Sequence, residues 1–269
     1  MFGLPPMRDF LYSGLEQILS RIKKREYRVD RCVPFGVFLS VICRRSVWLF
    51  RGVLKCLFLQ GKLRLVFMAP GVNLRNAVMV RFGKAVTLER GVIVDGLSVQ
   101  GVELGDNVMI GAYTTIQASM LSHKGMGARL GSNSSCGPYS FIGAGGLITV
   151  GENVAMGQHV SFHAENHNFE RPDVPIGLQG VSCKGIVIED DCWLGSNTTF
   201  LDGAHVGRGC VIGAGSVVRG EIPAFSVAVG VPARVIRSRL PKESQSTAEQ
   251  AKLAGILGGG KQRRDASRN

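Results

Sequence analysis

Residues 188–223 read IEDDCW LGSNTT FLDGAH VGRGCV IGAGSV VRGEIP, six blocks of six. A large apolar side chain opens each block: Ile188, Leu194, Phe200, Val206, Ile212 and Val218. A Gly follows three of them, at Gly195, Gly207 and Gly213, and the fifth place is small at Cys192, Thr198, Cys210 and Ser216. A period of six fits neither a helix nor the simple alternation of one strand, but it does fit a parallel β-helix in which each flat wall takes one block. Three walls close a coil of about eighteen residues. The opening residue and the fifth residue point into the prism, and the Gly is expected where a corner conformation would resist a Cβ. No coil buries its own core, so stability comes from stacking.

The same spacing extends through Val80, Val86, Val92, Leu104, Ile110 and Ile116. It restarts in shifted register at Leu130, Cys136, Ile142 and again at Val150, Met156, Phe162. Two stretches break it, 117–129 (QASMLSHKGMGAR) and 163–187 (HAENHNFERPDVPIGLQGVSCKGIV). A regular solenoid expels such insertions as surface loops, and loops on a rigid scaffold tend to carry function. The composition agrees with this reading: 36 Gly, 7% aromatic and 45% hydrophobic residues favour a turn-rich β fold over a helical bundle.

The net charge of +12 sits in the flanks. Residues 1–76 hold 14 Lys/Arg against 4 Asp/Glu, and 240–269 hold 6 against 3, whereas 77–239 are nearly balanced at 12 against 13. With no zinc-ligand spacing and no interleaved aromatics, nucleic acid is not an expected partner. Seven Cys without a CxxC pair fit a reducing compartment. The first residues lack the charged start and apolar run of a secretory signal. The apolar stretch from Val33 to Cys43 ends at Arg44-Arg45, short of the ~20 residues of a spanning helix. The expected location is the cytoplasm, with the inner face of the membrane as an alternative.

Three segments follow: a basic, helical extension over 1–76, a β-helix over 77–240, and a disordered tail over 241–269. In the extension, Leu11, Leu15, Ile18, Leu19 and Ile22 share one helical face. Arg44, Arg51, Lys55 and Lys62 form a basic stripe amid apolar residues. The region 44–62 therefore reads either as a peripheral membrane helix or as a cap on the open end of the solenoid, and the two are compatible.

The stretches VGENVAMGQHVSFHAENHNFERPDVPIGLQG, KGIVIEDDCWLGSNTTFLDGAHVGRGCVIGAGSVV and IPAFSVAVGVPARVI resemble the hexapeptide-repeat acyltransferase superfamily. The resemblance covers roughly residues 100–240 and is nearest to maltose, galactoside and polysaccharide O-acetyltransferases. It implies an all-β, left-handed parallel β-helix with a helical N-terminal extension and a short C-terminal helix. It also implies a homotrimer using acetyl-CoA as co-substrate, without a metal, and a sugar or lipid-linked oligosaccharide as acceptor. Transfer to serine or an amino sugar, and a non-catalytic scaffold, are the competing readings.

Of the five His, His205 closes a block, His123 lies in the first insertion, His159 is expected on a wall, and His163 and His167 open the long loop. Spacing alone does not single out one of them. The resemblance places the catalytic base at His167, with Asn166 and Trp193 beside the acceptor. It places Ser196, Ala214, Arg219 and Gly220 along the pantetheine arm of CoA, and Arg234 and Arg237 at its phosphates, a role suited to guanidinium geometry. An oxyanion would be met by a backbone N–H of the Gly195-Ser196 turn. The family's Asn about thirty residues before the base is replaced here by Gly137, which favours a polysaccharide-modifying branch over a free-disaccharide enzyme. His159, His163 and His167, spaced four and four, also resemble a zinc triad, but the paired Arg and Asp/Gln pattern of β-helix carbonic anhydrases is missing.

Overall fold

The computed structural model describes residues 12–14, 16–17, 20–21, 26, 28–30, 32–120 and 123–241. The expected helical face at Leu11, Leu15, Ile18, Leu19 and Ile22 lies outside these residues, as does the tail beyond Pro241.

The chain visits three parallel sheets in strict rotation, here walls A, B and C, as a left-handed parallel β-helix. One full turn illustrates it: Trp193–Leu194 lies in wall A, Thr199–Leu201 in wall B, His205–Val206 in wall C, and Val211–Ile212 returns to wall A. Leu194 pairs with Ile212, eighteen positions on, the expected coil. Cys136 pairs with Met156, twenty positions on, because that coil carries two extra corner residues. The block-opening residues Ile188, Leu194, Phe200, Val206, Ile212 and Val218 are all buried, and Phe162 and Phe200 stack in the core with ring centroids 4.8 Å apart. The small fifth residues are buried too, and their hydroxyls are satisfied within their own corner: Thr198 Oγ1 donates to Gly195 O and Ser216 Oγ to Gly213 O.

The glycines serve a different purpose from the one expected. Left-handed backbone occurs two residues after them, at Asn197 (φ 57°) and Gly215 (φ 72°). What Gly195 provides is clearance: a Cβ there would lie 2.5 Å from Ala214 N of the next coil. These are contacts between neighbouring coils, so they show only when the coils stack.

The first coil begins with Val66–Met68 and Asn73–Arg75, inside the segment assigned to the extension. A helix, Phe35–Gln60, closes that end. Gly52 lets it rest on Val66, Cys56 joins the core, and Gln60 Nε2 donates to Ala77 O and Val80 O, both at 2.8 Å. The cap reading thus describes this contact. The basic stripe divides: Lys55 Nζ donates to Val72 O, and Arg51 is half-buried with Nη1 lacking a partner among the described residues, whereas Arg44 and Lys62 are exposed.

At the other end, the expected short C-terminal helix is a strand. Ala233–Ser238 pairs antiparallel with Ser226–Gly230 of wall A. Wall A ends there in an open row of backbone groups, and β-branched Val235 and Ile236 suit a strand that fills it.

Candidate active site

The prism has three edges of unlike construction. At the edge from wall A to wall B, successive coils place Tyr113, Tyr139, His159 and Asn197 in left-handed backbone, one above the other. Tyr113 stacks on Tyr139 and Tyr139 on His159, at 5.4 and 5.3 Å. His159 is therefore a corner residue in a ring ladder, not a wall residue as expected. At the edge from wall C to wall A, Asn107, Asn133, Asn153 and Asp191 repeat the conformation, and Asn107 Nδ2 donates to Asn133 Oδ1.

The edge from wall B to wall C is where both insertions depart. The first leaves after Thr115–Gln117 and forms a hairpin of Ser119–Met120 with His123–Lys124 before wall C resumes at Ala128–Leu130. The second leaves after Ser161–His163 and returns at Ile186–Ile188. It opens with another hairpin, in which Asn166 pairs with Ser182 and His167 with Val181. Both Asn166 and His167 are exposed.

This loop is held from within. Gln179 Nε2 donates to Arg171 O and Val174 O, its Oε1 accepts from Arg171 N, and Asn168 Nδ2 donates to Gln179 O. Its return is fastened to the next coil, since Asp202 Oδ1 accepts from Lys184 N and Gly185 N. Burial pushes the Cys183 thiol up, and the carboxylates of Glu165 and Asp202 act in the same direction, which puts these charges at the base of the hairpin. The loop also frames an open depression lined by Asn168, Glu170, Arg171, Val174, Leu178 and Gln179, which neither His167 nor Trp193 lines. Gln179 and Asp202 went unmarked in the sequence; an Asp in the LDG turn opposite a long insertion is the one signal they offered.

The remaining residues fall into two groups. Arg219 and Gly220 follow Val217–Val218 at the same B-to-C edge, and His205 N donates to Gly220 O. Trp193 stands outward on wall A, 58% exposed, between Ala155 and Val211 of the adjoining coils. Ser196 and Ala214 lie at the A-to-B edge of adjoining coils, where Gly215 N donates to Ser196 O. Arg234 and Arg237 project from the added strand of wall A, opposite Val229 and Val227, and no carboxylate among the described residues pairs with either. One chain therefore unites His167, Asn166, Arg219 and Gly220 on one edge. Trp193, Ser196, Ala214, Arg234 and Arg237 lie on wall A or its far edge.

The oxyanion expectation narrows. Gly195 N–H is spent on Ile212 O at 2.8 Å, and Ser196 N lies against Gly157 of the coil below. The three His spaced four apart occupy a corner, a wall and a hairpin, with His163 against Phe141 at 5.6 Å. No group of three or more His, Cys, Asp or Glu among the described residues is placed to hold a metal ion.

One segment of the coil matches a known family model, and the chain is similar to several acetyltransferases. Residues 185–220 match the model of the bacterial transferase hexapeptide (six repeats). The chain is similar to a probable acetyltransferase of Mycobacterium tuberculosis, 34% identical over 58% of this chain and 50% of the relative. It is similar also to a putative lipopolysaccharide biosynthesis O-acetyl transferase of Escherichia coli (strain K12), 29% identical over 61% of this chain and 74% of the relative. The chain thus spans half the length of the mycobacterial relative. Among solved structures it matches an N-acyltransferase from Bacillus cereus in complex with dTDP-4-amino-4,6-dideoxyglucose and coenzyme A. That match has a TM-score of 0.45 at 18% identity and covers 70% of this chain and 88% of the other.

Proposed function

We propose that this protein transfers an acetyl group from acetyl-CoA to a sugar hydroxyl in cell-surface polysaccharide synthesis, on the cytoplasmic side of the membrane, with His167 as general base. The observation that carries the reading is the placement of His167: exposed, at the start of a braced hairpin on the edge where the solenoid expels its insertions. Similarity to proteins named as acetyltransferases supports the reaction class.

A sugar hydroxyl holds its proton far above pH 7 and attacks a thioester poorly. An imidazole titrates near neutrality and takes that proton as the oxygen–carbon bond forms. It then returns the proton to the sulfur as the carbon–sulfur bond breaks, so neither a metal nor an acyl-enzyme is needed. Held side by side, the two substrates gain most of their rate from positioning. Asn166, next to the base, contacts the acceptor, and Trp193 forms a wall of its pocket. Ser196, Ala214, Arg219 and Gly220 flank the pantetheine arm, while Arg234 and Arg237 face its phosphates.

The two residue groups lie on different parts of one chain, so they meet only when the B-to-C edge of one copy faces wall A of another. A closed ring of three satisfies that for every copy, and a homotrimer is part of the proposal. The test is acetyl-CoA consumption against a panel of sugars, amino sugars and lipid-linked oligosaccharides, with His167→Ala beside wild type. Loss of about 100-fold or more in turnover is expected on removing a general base. Wild-type turnover in the variant would remove His167 from the role, and preference for an amino sugar would replace hydroxyl with amine transfer.

A further inference from the structure

The helix Phe35–Gln60 has two apolar faces, and the first coil covers only one. Phe38, Gly52 and Cys56 turn inward and are buried. Leu39, Val47, Phe50, Leu57 and Phe58, eight, three, seven and one residues apart, fall within about 100° of one another on the opposite side, and all are exposed: Phe58 by 82% and Phe50 by 66%. Single exposed apolar residues are ordinary on a protein surface, but a continuous stripe marks a contact surface.

The charges around it are of one sign. The helix contains no Asp or Glu, and Arg44 and Arg51 border the stripe along one flank. Beyond its end, exposed Lys62 and Arg64 alternate with Leu63 and Leu65, which are 73% and 59% exposed. Two copies of this face brought together would oppose like charges, with no carboxylate in the helix to pair them. An anionic sheet of headgroups over an acyl layer complements both features at once. None of the helices among the described residues is long and apolar enough to cross a membrane, so such a contact is made in the plane. Twenty-six residues give about 39 Å of helix for it.

We propose that this outer face docks on an anionic lipid bilayer. Phe50 and Phe58 enter the boundary between headgroups and acyl chains, while Arg44, Lys62 and Arg64 meet the lipid phosphates. This proposal stands apart from acetyl transfer and is read without an activity assay.

The experiment is co-sedimentation of the full chain with vesicles of phosphatidylcholine alone and of phosphatidylcholine with an equal share of phosphatidylglycerol. It is run at low salt and again at about 0.5 M, where screening shortens to a few ångström. The expected result is binding at least about tenfold stronger to the anionic vesicles, weakened by salt. Phe50→Ser combined with Phe58→Ser lowers the partition by on the order of 100-fold. Lys62→Ala with Arg64→Ala, outside the helix, lowers it about tenfold and decides the matter should the first variant melt early. Absence of wild-type binding to anionic vesicles, or equal binding by both variants, overturns the proposal. So does a wild-type oligomer that loses subunits in the Phe variant, which would make the face a contact between copies.

Discussion

Two edges of the same prism are made from the same repeat and behave differently. The A-to-B edge is filled by its own chain: Tyr113, Tyr139, His159 and Asn197 climb it in one conformation, and Gly157 and Gly195 let each coil touch the next. The B-to-C edge repeats no such ladder and releases both hairpins, the second carrying His167. The coils touch at this edge too, as at Gly146 and Gly185, but the contacts lie at the foot of the insertions, so extra residues leave the coil there at little cost to the core. Among the described residues, both insertions leave from that one edge.

Stability should follow that division. The largest effect is expected from Phe200→Ala, which empties the core beside Phe162: about 3–5 kcal/mol, read as a lower midpoint in thermal unfolding. Gly195→Ala pushes a Cβ onto Ala214 N of the closed edge and should cost about 1–3 kcal/mol in the same measurement. An equal midpoint for wild type and Gly195→Ala would show that the closed edge yields, and the contrast would fail.

At the open edge the order reverses. Gln179→Ala removes two donated bonds within the loop, and it should shift thermal stability by less than about 1 kcal/mol. It should nevertheless speed amide exchange across 166–182 and lower turnover. A variant that unfolds globally would make the loop part of the scaffold.

The smallest effect is expected on wall C. There Glu189 accepts from His205 Nε2 at 2.8 Å and from Arg208 N, and these bonds hold its carboxyl below the usual range. A lowered carboxyl stabilises the fold above its ordinary value, and that contribution is lost as pH falls through the folded value. Glu189→Gln should therefore flatten the loss of thermal stability below about pH 4.5, by well under 1 kcal/mol at so exposed a site. An unchanged acid limb would show the pair to be inert.

Much of this division was legible before the fold. Every block-opening residue from Ile188 to Val218 is buried, and the two breaks in period mark the two hairpins. The period also runs back through Val80 and Leu74 to Met68, which places the first coil inside the supposed extension. Other features depend on neighbours that a local pattern does not display. The role of Gly195 depends on Ala214 overhead, and the strand Ala233–Ser238 forms because wall A leaves an edge to pair. The ladder through His159 follows from coil stacking, which separates it from His163 and His167 despite their even spacing. That the proposed site divides between two faces of one chain appears only when the walls are assembled.

The division itself is the central claim, and subunit complementation tests it most directly. His167→Ala removes the base from the B-to-C edge, and Ala214→Trp, at an exposed corner, blocks the proposed CoA groove on the other. Each variant alone should be inactive. Co-assembled in equal amounts, they should recover activity at roughly a quarter of interfaces, those joining an intact His167 edge to an intact Ala214 corner. Mixed assemblies of confirmed composition that stay inactive would contradict a site shared between copies.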